Sequence, residues 1–132
     1  MRFQPDTIEG VNVITRHDAP ASAHPRGRVW VGTTPFAHSV LVPWVGAVEP
    51  WCSGGFESLV AADFERVAAF APEVVIFGSG ARLRFAPAAL LRALIGRGIG
   101  VETMDTAAAC RTYDVLVAER RPVLAALLLT PA

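Results

Sequence analysis

The first half of the chain alternates short apolar or β-branched runs with prolines and glycines. These runs cover residues 11–15, 29–31 and 36–42. Because short runs of this kind between turn residues are typical of β-hairpins, we expect an antiparallel meander. Residues 43–56 contain too many prolines and glycines for a regular element, and they predict an ordered loop. Trp30 belongs to a predicted strand, so we expect its side chain in the core.

The second half changes to a pattern of alternating strands and helices. We expect Asp63 to cap a short helix that Pro72 closes. Residues 74–77 are continuously apolar, which is typical of a strand that is buried on both faces. The next helix is expected to begin at Pro87. Its predicted apolar stripe consists of Leu90, Leu91, Leu94 and Ile95.

A further strand, a helix and a last strand complete this half. Residues 99–103 supply the strand, which a helical crossover should place parallel to residues 74–77. Asp105 or Thr106 is expected to cap the helix that follows. The face of that helix is expected to carry Ala109, Tyr113 and Leu116. Residues 123–129 are almost wholly apolar and predict a central strand.

Together these elements predict one α/β domain that comprises residues 1–132. A β-rich N-terminal half joined to a βαβαβ C-terminal half predicts one mixed central sheet, with helices on at least one face. At 132 residues, the chain has the size of one ordinary domain with a continuous core.

Composition narrows the classes of partner. Hydrophobic residues make up 52% of the chain and charged residues 18%, so we expect some apolar surface to meet another protein. Twelve basic residues balance twelve acidic ones, which argues against nucleic-acid binding because phosphates require a basic face. Glycines and prolines interrupt the uncharged run at 29–48, so we expect no integral membrane segment. The N-terminus lacks a continuous apolar segment, which predicts a cytoplasmic protein, and we expect a monomer or weak self-association.

Two turns in the second half are candidates for ligand binding. Gly78, Ser79 and Gly80 follow a strand directly, as the phosphate-binding glycines of dinucleotide folds do, although the third glycine is missing. Asp105 and Thr106 begin a helix at the end of the next strand. Because parallel strands present their C-terminal ends to one crevice, we expect Gly80 and Asp105 to meet there and to be able to hold an anion or polar ligand. The competing interpretation is a structural turn and a helix cap.

Cysteine and tryptophan offer two further candidates. Cys110 lies one turn into the third helix and is assigned to the same crevice, and exposure near the helix N-terminus would lower the pKa of its thiol. No histidine can be assigned as its base, and a small buried thiol is the commoner use of cysteine. The sequence therefore assigns no catalytic residue, no metal ligand and no cofactor. Trp44 and Trp51 could anchor a protein partner, because exposed tryptophans are often interface hot spots.

Distinctive residues stand at nearly every joint between the predicted elements. They are Pro72-Glu73-x-x-Ile76-x-Gly78-Ser79-Gly80, Gly100-Val101-Glu102-x-Met104-Asp105-Thr106-x-x-Ala109-Cys110-x-Thr112-Tyr113, then Leu116, Glu119, Arg121 and Ala125-Ala126-Leu127. In the first half the matching residues are mainly Ser39-Val40-Leu41-Val42-Pro43. This ordered set resembles the Mth-domain family of unknown function.

The resemblance implies a three-layer α/β domain with a mixed central sheet and no established catalytic activity. The family also contains the mitochondrial assembly factor of respiratory complex I, which favours a role in binding or assembling another protein. The alternative is a domain that binds a small ligand or nucleotide through the turn at 78–80 and the helix start at 105–106. Three positions depart from the family pattern: Ser79 replaces a frequent threonine, Asp114 a common asparagine, and Arg120 a glycine.

Overall fold

The structure, a computed structural model, describes residues 10–131. Its strands are β1 (Ile14–Asp18), β2 (Arg28–Val31), β3 (Thr34–Phe36), β4 (Val40–Pro43), β5 (Glu49–Pro50), β6 (Val74–Gly78), β7 (Gly100–Met104) and β8 (Val123–Leu127). Its helices are α1 (Ala61–Ala69), α2 (Arg92–Gly96) and α3 (Thr106–Ala118), with 3-10 turns at Phe56–Ser58 and Ala88–Leu91. None of the helices in this range combines the length and the apolar character that a membrane crossing requires.

The strands form two sheets. The larger sheet has the strand order β5-β4-β8-β6-β7. β6 runs parallel to both β7 and β8, whereas β4 runs antiparallel to β8 and to β5. The predicted mixed sheet and the central place of β8 are therefore confirmed. β1, β2 and β3 pair in sequence order in a separate antiparallel sheet, so the prediction of a single sheet is wrong. The predicted run 36–42 is divided between β3, which completes this meander, and β4, which joins the larger sheet.

Apolar cores cover both faces of the larger sheet. Val75 and Phe77 of β6 face α1 and α2, where Phe64 and Leu94 are fully buried. Ile76 faces the opposite side, on which α3 and the smaller sheet pack. This alternation follows from the two-residue repeat of a β-strand. The molecule therefore has three layers, with α1 and α2 on one side of the sheet and α3 with the smaller sheet on the other.

The connection between β6 and β7 differs from the single helix that the sequence predicts. It contains the 3-10 turn Ala88–Leu91, which leads directly into α2. Leu94 is buried as expected. Ile95 is 60% exposed, so its assignment to the buried stripe is wrong. The tighter winding of the 3-10 turn changes the angle between successive side chains, so a stripe with purely α-helical spacing does not persist through this segment.

The start of α1 also needs correction. The cap residue is Val60, and Asp63 lies within the first turn of the helix. The Asp63 carboxylate accepts a hydrogen bond from the Val60 backbone N–H at 2.8 Å. Asp63 therefore still satisfies a backbone donor at the helix start, but from inside the helix.

Trp30 is not a core residue, contrary to the expectation from its place in a strand. Its half-buried ring lies between the guanidinium groups of Arg16 and Arg28, whose carbons are 4.6 and 4.5 Å from the ring centroid. Asp18 accepts hydrogen bonds from both arginines. The ring is therefore held on the outer face of the smaller sheet by cation–π contacts.

Arg120 ends α3 in a left-handed conformation. Its φ is +58°, a region that side chains other than glycine adopt at a cost. The Arg120 N–H donates to the Val117 carbonyl at 2.8 Å, and the Arg121 N–H donates to the Leu116 carbonyl at 3.1 Å. These two bonds form a Schellman motif, in which glycine is the preferred residue at this position. The glycine that the resembling family carries here therefore has a conformational reason.

Replacing Arg120 by glycine should raise the free energy of unfolding by about 1 kcal/mol, because relief of the left-handed strain outweighs the added flexibility of the unfolded chain. Urea denaturation of the two proteins measures the difference. Arg120→Ala is the matched control, since it removes the same side chain and keeps the strained φ. Equal stabilities of the glycine and alanine variants would contradict the prediction.

Candidate functional site

The turn after β6 and the start of α3 meet, as the sequence predicts. The Gly80 N–H donates to Thr106 Oγ1 at 3.0 Å, and the Thr106 N–H donates to the Gly80 carbonyl at 2.9 Å. Thr106 Oγ1 also donates to the Leu128 carbonyl at 2.8 Å, immediately after β8. Because Thr106 is buried, its hydroxyl takes the place of water for two backbone groups. We call this set of contacts between Gly80, Thr106 and Leu128 the junction.

Ser79 and Asp105 also serve backbone groups near the junction. Ser79 Oγ donates to the Arg82 carbonyl at 2.8 Å and accepts from the Arg84 N–H at 3.0 Å. Asp105 Oδ1 accepts from the Ala108 N–H at 2.8 Å, which confirms the expected N-cap. The Ser79 side chain therefore shapes the loop after β6, and the Asp105 side chain stabilises the start of α3.

Gly78 allows α3 to approach the larger sheet closely. A Cβ atom at this position would lie 3.0 Å from the Leu127 side chain and 3.0 Å from Thr106 Oγ1. It would also lie 3.1 Å from Ala109 Cβ. A larger side chain would therefore have to displace α3 or β8, which gives Gly78 a packing role.

A small cavity of about 110 Å³ lies beside the junction. Its wall includes Gly80, Asp105 and Thr106, together with His17 and Arg26 from the N-terminal half. Of the residues predicted for the crevice, Gly80, Asp105 and Thr106 line this cavity, whereas Gly78, Ser79 and Cys110 do not. Small-molecule sites usually measure roughly 300–1,000 Å³, so a cavity of this size does not enclose a nucleotide. Binding of a smaller polar ligand stays a prediction.

Cys110 faces the core from α3 and is 4% exposed. Burial raises the pKa of its thiol to about 12, and the neighbouring Asp114 carboxylate adds to the shift. The exposure that would lower this pKa is absent, and Cys110 is the small buried thiol of the competing interpretation. Cys110 and His17 both line a groove of about 310 Å³ between β1 and α3. A thiol with this pKa stays protonated at neutral pH and lacks the thiolate that nucleophilic catalysis requires.

Within residues 10–131, no three or more histidine, cysteine, aspartate or glutamate side chains are placed so that they could hold a metal ion.

The two loop tryptophans have different environments. Trp51 is 6% exposed, and its ring packs edge-on against Phe64 and Phe77. Its indole N–H donates to the Asp63 carbonyl at 3.1 Å. The expectation that Trp51 anchors a partner is therefore wrong, because the loop folds its ring into the core. Trp44 is half-buried against the core on the α3 side, and its contact with a partner stays a prediction.

Sequence comparison places these features in a known family. A family model described as "Protein of unknown function (DUF498/DUF598)" matches residues 22–128. The chain belongs to this family. The matched range contains the whole junction, and the resemblance that the joints indicate is confirmed.

Relatives of this DUF498/DUF598 member include a named assembly factor. A Danio rerio protein named NADH dehydrogenase (ubiquinone) 1 alpha subcomplex assembly factor 3 is 34% identical over 113 residues, which cover 84% of this chain and 64% of the relative. The chain thus spans less than two thirds of the length of the first curated relatives that it matches.

Solved structures confirm the three-layer fold of this DUF498/DUF598 member. A crystal structure of a Bordetella parapertussis protein is 33% identical, has a TM-score of 0.79, and covers 96% of this chain and 100% of that chain. A solution structure from Bordetella pertussis, described as a Mth938-like domain, is 26% identical and has a TM-score of 0.80. That match covers 99% of this chain and 94% of the other.

Tyr113 and Asp114 tie the N-terminal part of this DUF498/DUF598 member to α3. The Tyr113 hydroxyl donates to the Asn12 carbonyl at 2.9 Å, which confirms the expected buried ring with a polar partner. Asp114 Oδ1 accepts from the Ile14 N–H at 2.8 Å. The second contact joins residues 100 positions apart, so no local sequence pattern predicts it. Burial raises the pKa of the Asp114 carboxyl to about 6, although the hydrogen bond from Ile14 opposes the shift.

Replacing Asp114 by asparagine should flatten the pH dependence of stability. An unfolded aspartate has a pKa of about 3.9, so the folded state binds this proton more tightly. The stabilisation from the protonated carboxyl is therefore present below about pH 4 and is lost as the pH rises through about 6. An asparagine oxygen can accept from the Ile14 N–H at every pH. Urea denaturation between about pH 4 and pH 7 should show wild-type stability falling relative to the variant.

The difference between the two proteins isolates this carboxyl, because other titrating groups are retained in both. His17, for example, has its pKa lowered by burial and favours the folded state less as the pH falls. A constant difference across the whole window would show that Asp114 does not titrate there.

Proposed function

We propose that this chain acts by binding another protein and supports the assembly of a larger complex. The observation that carries the proposal is the 34% identity, over 84% of the chain, to a relative named as an assembly factor. The proposal extends to this chain a role that the relative's name states for the relative.

The contacts of the candidate residues are consistent with a binding role. The hydroxyl of Thr106 and the carboxylate of Asp105 are engaged with backbone groups of the fold. The Cys110 thiol is buried and has a raised pKa. These candidate side chains therefore serve the fold, Asp105 and Thr106 through hydrogen bonds and Cys110 through burial, and this favours function through the outer surface.

We also propose that the partner is a protein of a respiratory NADH dehydrogenase, because the relative is named as an assembly factor of that enzyme. We also propose a cytoplasmic location, a monomer or weak self-association, and no nucleic-acid partner. The formal net charge of +0 favours the last point, since binding to phosphates draws on excess positive charge.

Affinity purification after mild cross-linking in cells tests this function. A tagged chain at its natural level should recover NADH dehydrogenase subunits in amounts that exceed those of an untagged strain. Trp44→Ala should reduce this recovery, because the half-buried ring is the remaining tryptophan candidate for an interface. Val115→Ser, at an exposed position of α3, is the matched surface control. Recovery of no such subunit in the cross-linked samples would overturn the proposed partner.

A second candidate function rests on the cavity beside the junction. Its wall combines Arg26, His17 and Asp105, which suits a small polar ligand rather than a nucleotide. Titration of the isotope-labelled protein with inorganic phosphate, followed by NMR, tests it. Saturable shifts at Gly80 and Ala107 that Arg26→Ala removes would support this candidate, and the absence of such shifts would exclude phosphate as the ligand.

A further inference from the structure

The connection between β6 and β7 carries an unusual charge distribution. Residues 79–99, which form this connection, contain four arginines and no acidic residue, although the whole chain has twelve of each sign. The remaining residues therefore carry eight arginines and twelve acids, a balance of −4 against +4 for this segment. Such segregation places positive charge on one part of a molecule whose formal net charge is +0.

Three of the large exposed apolar side chains belong to the same connection. Phe85 is 70% exposed, Leu83 is 51% exposed, and Ile95 is 60% exposed. Arg82 and Arg84 alternate with the first two in the sequence. Exposed phenylalanine, leucine and isoleucine next to basic residues are typical of a surface that contacts a membrane or another protein.

The connection packs on the side of the sheet that α1 and α2 cover. Ala86, Leu90 and Leu91 of the connection pack against the core on that side. Arg84 lies 4.5 Å over the Phe56 ring, which packs against the same core. The exposed residues of the connection therefore contribute to the outer surface of this layer. We define the basic apolar surface as five exposed residues, Arg82, Leu83, Phe85, Arg92 and Ile95, together with the half-buried Arg84.

Two of the four arginines in the connection already have hydrogen-bond partners. Arg84 donates to Glu57 at 2.6 Å, and Arg97 donates to the Ala68 carbonyl at 2.9 Å. Arg82 and Arg92 are exposed, with Arg92 and Ile95 one turn apart on α2. Their guanidinium groups are therefore placed to reach phosphate groups beside the apolar side chains.

We propose that the basic apolar surface docks this chain onto an anionic lipid bilayer as a peripheral protein. The apolar side chains enter the interface, and the exposed arginines contact lipid phosphates. Charge complementarity favours an anionic occupant, because the connection itself contains no acid and the neighbouring Glu57 is already paired with Arg84. The concavity beside the surface is lined by Arg82 and Arg84, and its lining does not include Leu83 or Phe85. A bilayer accepts such side chains without a complementary groove, whereas a protein partner requires matching shape.

Vesicle co-sedimentation of the purified full chain tests the proposal. The probe is a vesicle of phosphatidylcholine with about one third phosphatidylglycerol, and pure phosphatidylcholine is the neutral control. The chain should sediment with the anionic vesicles and not with the neutral ones, and added salt should weaken binding because it screens the attraction. Absence of binding to the anionic vesicles at low salt would overturn the proposal.

Paired variants separate this surface from general charge effects. Arg82→Glu with Arg92→Glu should reduce the partition coefficient at least about tenfold, and Leu83→Ser with Phe85→Ser should reduce it similarly. Arg111→Glu and Val115→Ser, both exposed on α3 across the sheet, should leave it within about twofold of wild type. Thermal unfolding checks that every variant is folded. Equal losses in the α3 variants would contradict the assignment of the surface.

The test also distinguishes a bilayer from an acidic protein as the occupant. If the surface variants lose the cross-linked NADH dehydrogenase subunits while wild type binds no vesicle, the surface docks a protein and the lipid proposal fails. If vesicle binding is present and no subunit is recovered, the lipid proposal stands without the proposed assembly function.

Discussion

Replacing Thr106 by valine should lower the free energy of unfolding by about 3 kcal/mol. Valine has nearly the shape of threonine but lacks the hydroxyl that accepts from the Gly80 N–H and donates to the Leu128 carbonyl. Both backbone groups would lose this partner at a buried site, and an unpaired buried group costs about 1–3 kcal/mol. Urea denaturation with a constant m-value measures the loss.

Thr106→Ser is the matched control, because it keeps the hydroxyl and removes one methyl group. We expect it to cost about 1 kcal/mol, the usual effect of a small buried deletion. If valine is tolerated as well as serine, the hydroxyl does not hold the junction together. In that case the structural role assigned to Thr106 would be wrong, and a ligand role at the same position would gain weight.

Replacing Gly78 by valine should destabilise the fold by about 3 kcal/mol, the upper end of the usual cost of overpacking. The first added carbon already falls 3.0 Å from Leu127 and from Thr106 Oγ1, and valine places two further methyl groups beyond it. These neighbours belong to β8 and α3, so neither can move without disturbing the junction.

Gly100→Val is the matched control for this overpacking. Gly100 is paired with Val74 in the same sheet, but its nearest neighbour would lie 3.8 Å from an added Cβ, which is an ordinary contact. We expect this variant to change stability by less than about 1 kcal/mol, since a strand position favours valine over glycine. Similar losses at Gly78 and Gly100 would show that strand glycine itself, rather than the approach of α3, sets the cost.

Most of the fold follows from local sequence patterns. The continuous apolar run at 123–129 predicts a central strand, and β8 is central because its side chains meet cores on both faces. The Asp105 cap is likewise local, since donor and acceptor lie within one turn. In both cases the pattern and its structural consequence occupy the same short segment.

The predictions that the structure contradicts fail for a different reason. Trp51 lies in a segment rich in glycine and proline that predicts an ordered loop, and its ring packs in the core against Phe64 and Phe77. Trp30 lies in a strand whose outward face could not be chosen from alternation alone, and Arg16 and Arg28 hold it there. Tertiary neighbours decide such positions, and one sequence does not identify them.

The candidate site shows the same division. The meeting of Gly80 with the start of α3 follows from parallel strand order, which the sequence predicts. The Thr106 bond to Leu128 depends on how far β8 extends toward that edge, which no local pattern records. The sequence therefore predicts a ligand site at the junction, because no local pattern shows that the Leu128 carbonyl already accepts from the Thr106 hydroxyl.

The most direct measurement of the proposed assembly role is the level of mature NADH dehydrogenase in cells that lack this chain. Native gel electrophoresis should show loss of the complete complex and accumulation of smaller assemblies, and expression of wild type should restore it. Asp114→Asn, which keeps the contact to Ile14 and leaves the outer surface unchanged, should restore it equally well. A normal level of complete complex in the deleted cells would contradict the proposed function.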